Sequence, residues 1–134
     1  MPIRLDVFAP DRLVIGVAVD RITLADLVDF LRRIQEGQLH RFRKIIDIAN
    51  AQPDITPEEL TAFSEGLRAA LRDTPRGALA IVANEKLDQL ARLFSGVTGA
   101  ERPANVFRSI HEARKWLNTN AFPRGAASPV RPSR

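Results

Sequence analysis

The fold is decided by the stretch Ala78-Leu79-Ala80-Ile81-Val82-Ala83, which is apolar at every position. A strand that is apolar on both faces is typical of a mostly parallel sheet covered by helices. Asn84 follows directly, and asparagine is a preferred residue at the N-cap of a helix. The stretch therefore predicts a central strand that leads into a helix, which is the repeating unit of an α/β domain.

Strand patterns recur on both sides of this stretch. Ile3–Phe8 alternates apolar and polar residues and Leu13–Val19 is rich in β-branched residues, so both are predicted strands. The short turn between them makes the pair an antiparallel hairpin. Two more strands are predicted at Lys44–Ala49 and Asn105–Arg108, and Asn50–Ile55 is predicted to be a loop.

Residues that cap helix N-termini predict where the helices begin. Thr23 with Asp26 and Thr56 with Glu59 have the spacing of a capping box, in which hydroxyl and acid each accept a backbone N–H. Pro57 falls at the first helical position, where proline is favoured. The predicted N-caps are Thr23, Thr56, Asn84 and Ser109.

These elements predict one α/β domain with the order ββαβαβαβα. Its sheet is single, mixed and mostly parallel, with an N-terminal antiparallel hairpin and about four helices. The 134 residues suit one domain, which we assign to residues 1–122. Residues 123–134 are rich in Pro, Gly, Ser and Ala, and we expect a disordered basic tail there.

The basic charge of the chain is concentrated in that tail. The sequence pI is about 10.6, but Arg124, Arg131 and Arg134 supply three of the four net positive charges. Residues 1–122 hold 17 basic and 16 acidic side chains. A nucleic-acid-binding domain usually carries a basic face throughout, so we expect no nucleic-acid partner.

The lengths of the apolar runs and the lack of cysteine indicate where the protein is located. The longest apolar run near the start, Val14–Val19, has six residues, whereas a membrane-spanning helix needs about 20. The first residues do not have the pattern of a signal peptide. The chain has no cysteine, which fits a reducing compartment. We therefore expect a cytoplasmic protein without a membrane span.

Three segments carry a family resemblance: Arg76–Ala83, Leu90–Phe94 and Val106–Ile110, the last followed by Trp116-Leu117. They are similar to STAS/SEC14-type, SpoIIAA-like bacterial domains. In those domains a glycine-led apolar strand runs into a helix, and a short strand ending in Phe-Arg leads to a helix ending in Trp-Leu. The resemblance spans about residues 12–118 and implies the SpoIIAA-like fold.

The resemblance also implies a function. Better-known relatives are non-enzymatic regulators that act through protein contacts and are switched by phosphorylation within an Asp-Ser-Ser-Gly motif. Here Asp47 matches the aspartate that closes the preceding strand, and Thr56 falls near the phosphoacceptor position, but the motif itself is absent. We therefore expect a bacterial regulatory domain with a protein partner, and a homodimer is compatible with this. The alternative is a small-molecule or lipid-binding domain of SEC14-like type.

Motifs for catalysis are missing from the sequence. It contains no phosphate-binding loop, dinucleotide fingerprint or nucleophile elbow. Cysteine and tyrosine are absent, and His40 and His111 do not have the spacing of metal ligands. We therefore expect no enzyme, no catalytic residue, no metal and no cofactor.

Polar residues near the carboxyl ends of the predicted strands are candidates for a site. Open α/β sheets bind ligands there, and Asp47, Asn50 and Asn84 would form a rim for a ligand or partner. Helix capping is the competing interpretation for Asn84. The nearby carboxylates Asp54, Glu58 and Glu59 suit either Mg²⁺ or a helix N-terminus, and capping already explains all three.

One basic concentration lies within the domain. It consists of Arg32, Arg33, Arg41, Arg43 and Lys44. Such a cluster suits an acidic partner or a phosphate. A solvent-exposed face is the interpretation that we favour, because cations are stabilised near a helix C-terminus.

Overall fold

The computed structural model of the protein describes residues 3–98 and 102–119. Within them, the apolar stretch that begins at Ala78 forms a strand whose four residues are all buried. It is the fourth strand of a five-stranded sheet in which the strands lie in sequence order. The strands are β1 Ile3–Phe8, β2 Leu13–Thr23, β3 Arg43–Asp54, β4 Leu79–Val82 and β5 Ala104–Phe107.

The predicted fold class is confirmed. β1 pairs antiparallel with β2, and the pairs β2–β3, β3–β4 and β4–β5 are parallel. The described residues form four α-helices, α1 Leu24–Glu36, α2 Pro57–Ala70, α3 Asp88–Thr98 and α4 Ile110–Leu117. Short 3₁₀ helices lie at Ala9–Asp11 and Glu85–Leu87.

Local capping chemistry begins the helices where the sequence predicts. The capping boxes Thr23–Asp26 and Thr56–Glu59 both form. Asn84 caps the 3₁₀ helix that precedes α3, and Ser109 accepts a backbone N–H at the start of α4. These bonds satisfy N–H groups that have no partner within the helix.

The predicted loop at Asn50–Ile55 is wrong for most of its length. β3 continues to Asp54 and β2 continues to Thr23, so that Val19–Thr23 pairs with Asn50–Asp54. We call this two-stranded extension the ribbon. β4 ends at Val82, opposite Asp47, and in the described residues the ribbon part of β3 has only β2 beside it. Pro53 is tolerated there because proline lacks a backbone N–H, and the open side of an edge strand needs no N–H for pairing.

The two faces of the sheet are covered differently. Of the four described helices, α4 packs on one face, where Ala113 and Leu117 contact residues such as Ile45 and Ala80. α1 and α3 pack on the other face, against Ile46, Ile48 and their neighbours. α2 lies on this second face too, but its main packing partner is α3. The room beneath α2 is where the site lies.

The predicted tail, residues 123–134, lies outside the described residues. The predicted domain boundary at residue 122 lies outside them as well.

Candidate functional site

A cavity of about 130 Å³ lies between α2 and the sheet. Its floor is formed by Ile46 and Ile48 of β3 with Leu79 and Ile81 of β4. Three helices supply the walls, with lining residues that include Phe30 and Ile34 of α1, Leu60, Phe63 and Leu67 of α2, and Leu90 and Phe94 of α3. Nearly all of this surface is aliphatic or aromatic.

The cavity exists because α2 does not pack closely against the sheet. Only Leu60 and Ser64 of this helix are buried, whereas Phe63 and Leu67 are half-buried although they line the cavity. The Ser64 hydroxyl donates to the Leu60 carbonyl at 2.8 Å, so it presents no free polar group. The inner face of α2 is therefore an apolar surface with open space in front of it.

One end of the cavity is basic. The side chains of His40, Lys44, Arg76 and Arg102 line it, and we call this group the basic end. Lys44 is 4%, Arg76 5% and Arg102 5% exposed. No aspartate or glutamate is among the described residues that line the cavity. These residues precede or begin β3, β4 and β5, so the basic end lies at the amino ends of the parallel strands.

Backbone contacts hold the basic end together. The Lys44 Nζ donates to the carbonyls of His40 and Phe42, at 2.8 Å each. The Gly77 N–H also donates to the His40 carbonyl at 2.8 Å, and the Arg102 Nη1 donates to the Gly77 carbonyl at 3.3 Å. These bonds connect three segments that are distant in sequence.

The basic groups perturb one another. Burial lowers the pKa of Lys44 well below its usual value, and the charges of Arg102 and Arg76 lower it further. The pKa of His40 is also lowered, first by burial and then by Lys44, Arg76 and Arg102. Burial is the larger cause of both shifts, and the neighbouring cations add to it because a positive potential also disfavours protonation.

The sequence-predicted residues Asp47 and Asn84 meet at a different place, around Ala49. β3 has a bulge there, since Val17 pairs with Asp47 and Val19 pairs with Asn50. The Asp47 Oδ1 accepts from the Ala49 N–H at 3.0 Å, and the Asn84 Nδ2 donates to the Ala49 carbonyl at 2.8 Å. The Asn84 Oδ1 accepts from the Leu87 N–H at 2.9 Å. These side chains thus satisfy backbone groups of the bulge and of a helix start.

The other predicted residues lie outside the cavity. Asn50 is exposed at the start of the ribbon, and Thr56 is exposed at the N-cap of α2. The Thr56 Oγ1 accepts from the Glu59 N–H at 3.0 Å. None of Asp47, Asn50, Asn84 and Thr56 lines the cavity. A rim for a ligand or partner at Asp47, Asn50 and Asn84 stays a prediction, and so does a phosphoacceptor at Thr56.

The solvent-exposed interpretation of the basic concentration is wrong for Lys44, which is buried. The signal for this was present in β3: Lys44 lies two and four residues before Ile46 and Ile48, so all three point to the same face. Of the other residues in this concentration, Arg32 and Arg41 are exposed, whereas Arg33 and Arg43 are half-buried. Arg32 pairs with Asp29 and Glu36 on α1.

The described residues contain neither a cluster of metal ligands nor a membrane-spanning helix. Within residues 3–98 and 102–119, no group of three or more His, Asp or Glu side chains is placed to hold a metal ion. None of the helices in the same residues has the length and apolar character needed to cross a membrane.

Comparison with solved structures identifies the fold. A protein from Shewanella loihica PV-4, described as an uncharacterized protein from the DUF3478 family with a SpoIIAA-like fold, matches with a TM-score of 0.60. The match covers 86% of this chain and 91% of that chain, at 16% sequence identity. No family model and no curated protein matches the sequence significantly. The chain therefore has a SpoIIAA-like fold, as the sequence resemblance predicted.

Proposed function

We propose that this SpoIIAA-like domain binds a small apolar or amphipathic molecule in the cavity beneath α2. The observation that carries the proposal is the lining, which is apolar on the floor and walls and polar only at the basic end. Ligand sites in proteins have this composition, with a few polar groups that fix the orientation of the ligand. This is the small-molecule or lipid-binding function that the sequence analysis gave as its alternative.

The volume of the cavity limits the ligand. At about 130 Å³ it is close to the ~150 Å³ of an engineered cavity that takes up benzene. A chain or ring of about six carbons therefore fits without rearrangement. A longer chain requires α2 to move outward, which the half-buried Phe63 and Leu67 make less costly than opening a closed core.

Thermal and urea unfolding in the presence of short alcohols, carboxylates and lipids test this function. A ligand at 100 times its Kd adds about 2.7 kcal/mol to the free energy of unfolding. The variant Leu67→Trp places a large ring in the cavity and should abolish the stabilisation. Ala62→Trp places the same ring on the exposed side of α2 and should leave it intact. The proposed binding function would be refuted if none of the compounds stabilised the protein. It would also be refuted if a compound stabilised both variants equally.

A regulatory function through protein contacts, which the sequence analysis placed first, is the second candidate. It is favoured by β1, which pairs only with β2 in the part of the chain that the structure describes. Val7 and Phe8 on this strand are 44% and 42% exposed. An apolar edge strand is a template for pairing with another chain. Both candidates are non-enzymatic binding functions.

The second candidate is tested at the same edge. The variant Val7→Lys places a charge on the edge strand, which discourages pairing between chains. Sedimentation of the purified protein reports a homodimer, and pull-down from native lysate at physiological salt reports a specific partner. We expect the variant to lose whichever complex forms. A monomer that recovers no specific protein would contradict this function.

A further inference from the structure

We infer that the partner of the β1 edge is a second copy of this chain, paired antiparallel so that Leu5 faces Leu5 of the second copy across a two-fold axis. This pairing deepens the second candidate function, on which it rests, by naming the partner and the register. The cavity function does not depend on it. The observations behind it are the open edge of β1 and the order of charged and apolar residues along this strand.

The edge of β1 is held in place and has room beside it. In the part of the chain that the structure describes, β1 pairs only with β2. The Ile3 carbonyl accepts from the Arg33 Nη2 at 2.8 Å, which ties the beginning of β1 to α1. A carbonyl oxygen has two lone pairs, so this bond leaves it able to accept again. An open edge strand is a template for pairing with another chain.

Symmetry restricts how two copies of β1 can pair. A two-fold axis perpendicular to the sheet keeps each face of the sheet on its own side, so residues that lie opposite each other must come from the same face of β1. Ile3, Leu5 and Val7 point to one face, whereas Arg4 and Asp6 point to the other. A residue of β1 therefore lies on the axis, opposite its own copy. The central choices for this residue are Arg4, Leu5 and Asp6.

The charges on β1 select among these three registers. With Leu5 on the axis, Arg4 lies opposite Asp6 of the second copy and Asp6 lies opposite Arg4, which gives two ion pairs between the strands. With Arg4 or Asp6 on the axis, two like charges lie opposite each other. Opposite charges across a strand pair are stabilising and like charges are destabilising. The Leu5 register also places Val7, which is 44% exposed, beside Ile3 of the second copy.

The competing interpretation is that these charges protect the edge, since charged side chains on an edge strand discourage pairing. Within one chain Arg4 and Asp6 pair at 3.2 Å, with side chains that are 72% and 43% exposed. Such an exposed ion pair contributes little to stability, so exchanging it for two equivalent pairs between copies is not costly. Because the two charges are opposite in sign, they disfavour the neighbouring registers and favour the Leu5 register.

The helix nearest to this edge leaves room for the second copy. Phe30 of α1 lies against Gly16 of β2, where a Cβ would be 2.8 Å from the Phe30 ring, so α1 covers β2. In the extended sheet, β2 and its copy are three strand spacings apart, which is about 14 Å. Packed helices approach to about 8–10 Å. Both copies of α1 therefore fit on the same face of the extended sheet.

The experiment reverses the two charges one at a time. Asp6→Arg gives β1 two arginines and Arg4→Asp gives it two aspartates, so each variant places like charges opposite each other in its own dimer. We expect the dimer Kd of each variant to rise at least about ten-fold, because both ion pairs change from attraction to repulsion. An equimolar mixture of the two variants brings arginine opposite aspartate at both positions, and it should dimerise as the unaltered protein does.

Sedimentation equilibrium of the full chain measures these constants. It should cover about 5–500 μM, because two short strands form a contact smaller than a standard interface and a weak dimer is expected. Asp54→Arg is the control, since it reverses an exposed carboxylate that pairs with Arg21 on the ribbon, and it should leave the Kd unchanged. Circular dichroism checks that each variant folds. Asp6→Lys and Arg4→Glu replace a variant that does not.

Three results would overturn the pairing: a chain that stays monomeric over this range, a dimer that neither charge reversal weakens, and folded variants whose mixture does not dimerise. A monomer that recovers a specific protein in the pull-down would assign the β1 edge to that protein and leave the second candidate function standing. A monomer that recovers none would overturn the second candidate function as well. The cavity function keeps its own test in each case.

Discussion

Gly77 joins two of the loops that form the basic end of the cavity, since its N–H donates to the His40 carbonyl at 2.8 Å. The chains approach so closely there that a Cβ on Gly77 would lie 2.2 Å from the Phe42 oxygen and 2.6 Å from the Arg41 oxygen. Both are backbone atoms, which cannot rotate away as a side chain does. Glycine is therefore required by the close approach.

A methyl group at this position tests the packing of the two loops. We expect Gly77→Ala to lower the free energy of unfolding by about 1–3 kcal/mol or more, the usual effect of overpacking. Gly66→Ala is the matched control, because a Cβ on Gly66 in α2 meets no atom within 4 Å. That change should stabilise the protein by about 0.5–1 kcal/mol, since alanine favours a helix more than glycine does. Urea unfolding measures both, and equal effects would contradict the close approach.

The bulge in β3 is held by two side chains, Asp47 and Asn84, whose role there the sequence did not show. Asp47 is the residue whose role capping did not explain, and it binds the Ala49 N–H at 3.0 Å. Asn84 binds the carbonyl of the same residue. An extra residue in a strand leaves backbone groups without ladder partners, and these two side chains replace the partners.

Removing the carboxylate should expose this role. We expect Asp47→Ala to lower the free energy of unfolding by about 1–3 kcal/mol, because it leaves a part-buried N–H without an acceptor. Asp47→Asn keeps an oxygen in the same position and should lose much less. Asp6→Ala removes an exposed carboxylate that pairs with Arg4 at 3.2 Å, and its effect should be below about 1 kcal/mol. If Asp47→Ala unfolds like the unaltered protein, the bulge does not depend on this bond.

The cap of α2 supports a second prediction at the scale of elements. Thr56 and Glu59 bond reciprocally, at 3.0 and 2.9 Å. We expect Thr56→Ala to lower the free energy of unfolding by about 1 kcal/mol, whereas Thr56→Asp should retain most of the stability because aspartate is a good N-cap. Thermal unfolding of the two variants measures the difference. Equal losses would show that the capping box does not hold this helix.

Elements that depend on local chemistry were predicted from the sequence, and elements that depend on distant partners were not. The capping boxes at Thr23 and Thr56 were found because all their atoms lie within four residues. The ribbon was missed because Asn50, Pro53 and Asp54 favour turns. What makes them a strand is their pairing with Val19–Thr23 beyond the bulge, and no pattern within the segment shows it.

The same distinction holds for the whole molecule. The order of strands and helices follows from apolar runs and capping residues, so the fold class was predictable. The cavity was not, because it arises from α2 packing on α3 and leaving the sheet partly uncovered. Its basic end is assembled from Lys44, Arg76 and Arg102, which no spacing rule connects. The sequence directed attention to the carboxyl ends of the strands, whereas the basic end lies at their amino ends.

Global unfolding as a function of pH reports what the burial of Lys44 costs the whole protein. Burial and the charges of Arg102 and Arg76 lower the pKa of Lys44 in the folded state. At pH values between this lowered pKa and the usual lysine pKa of about 10.4, the unfolded chain therefore holds a proton that the folded protein lacks. Stability contributed by this group therefore rises with pH across that window. The pKa of His40, which is also lowered, affects stability mainly below its usual value of about 6.5.

We expect the free energy of unfolding of the unaltered protein to rise relative to that of Lys44→Met as the pH rises towards the usual lysine pKa of about 10.4. Urea unfolding at several pH values measures this difference, and Lys86→Met should show no such trend because that lysine is exposed. A difference that stays constant over this range would mean that Lys44 titrates in the folded protein as it does in the unfolded chain. The buried, positively charged environment assigned to the basic end would then be incorrect.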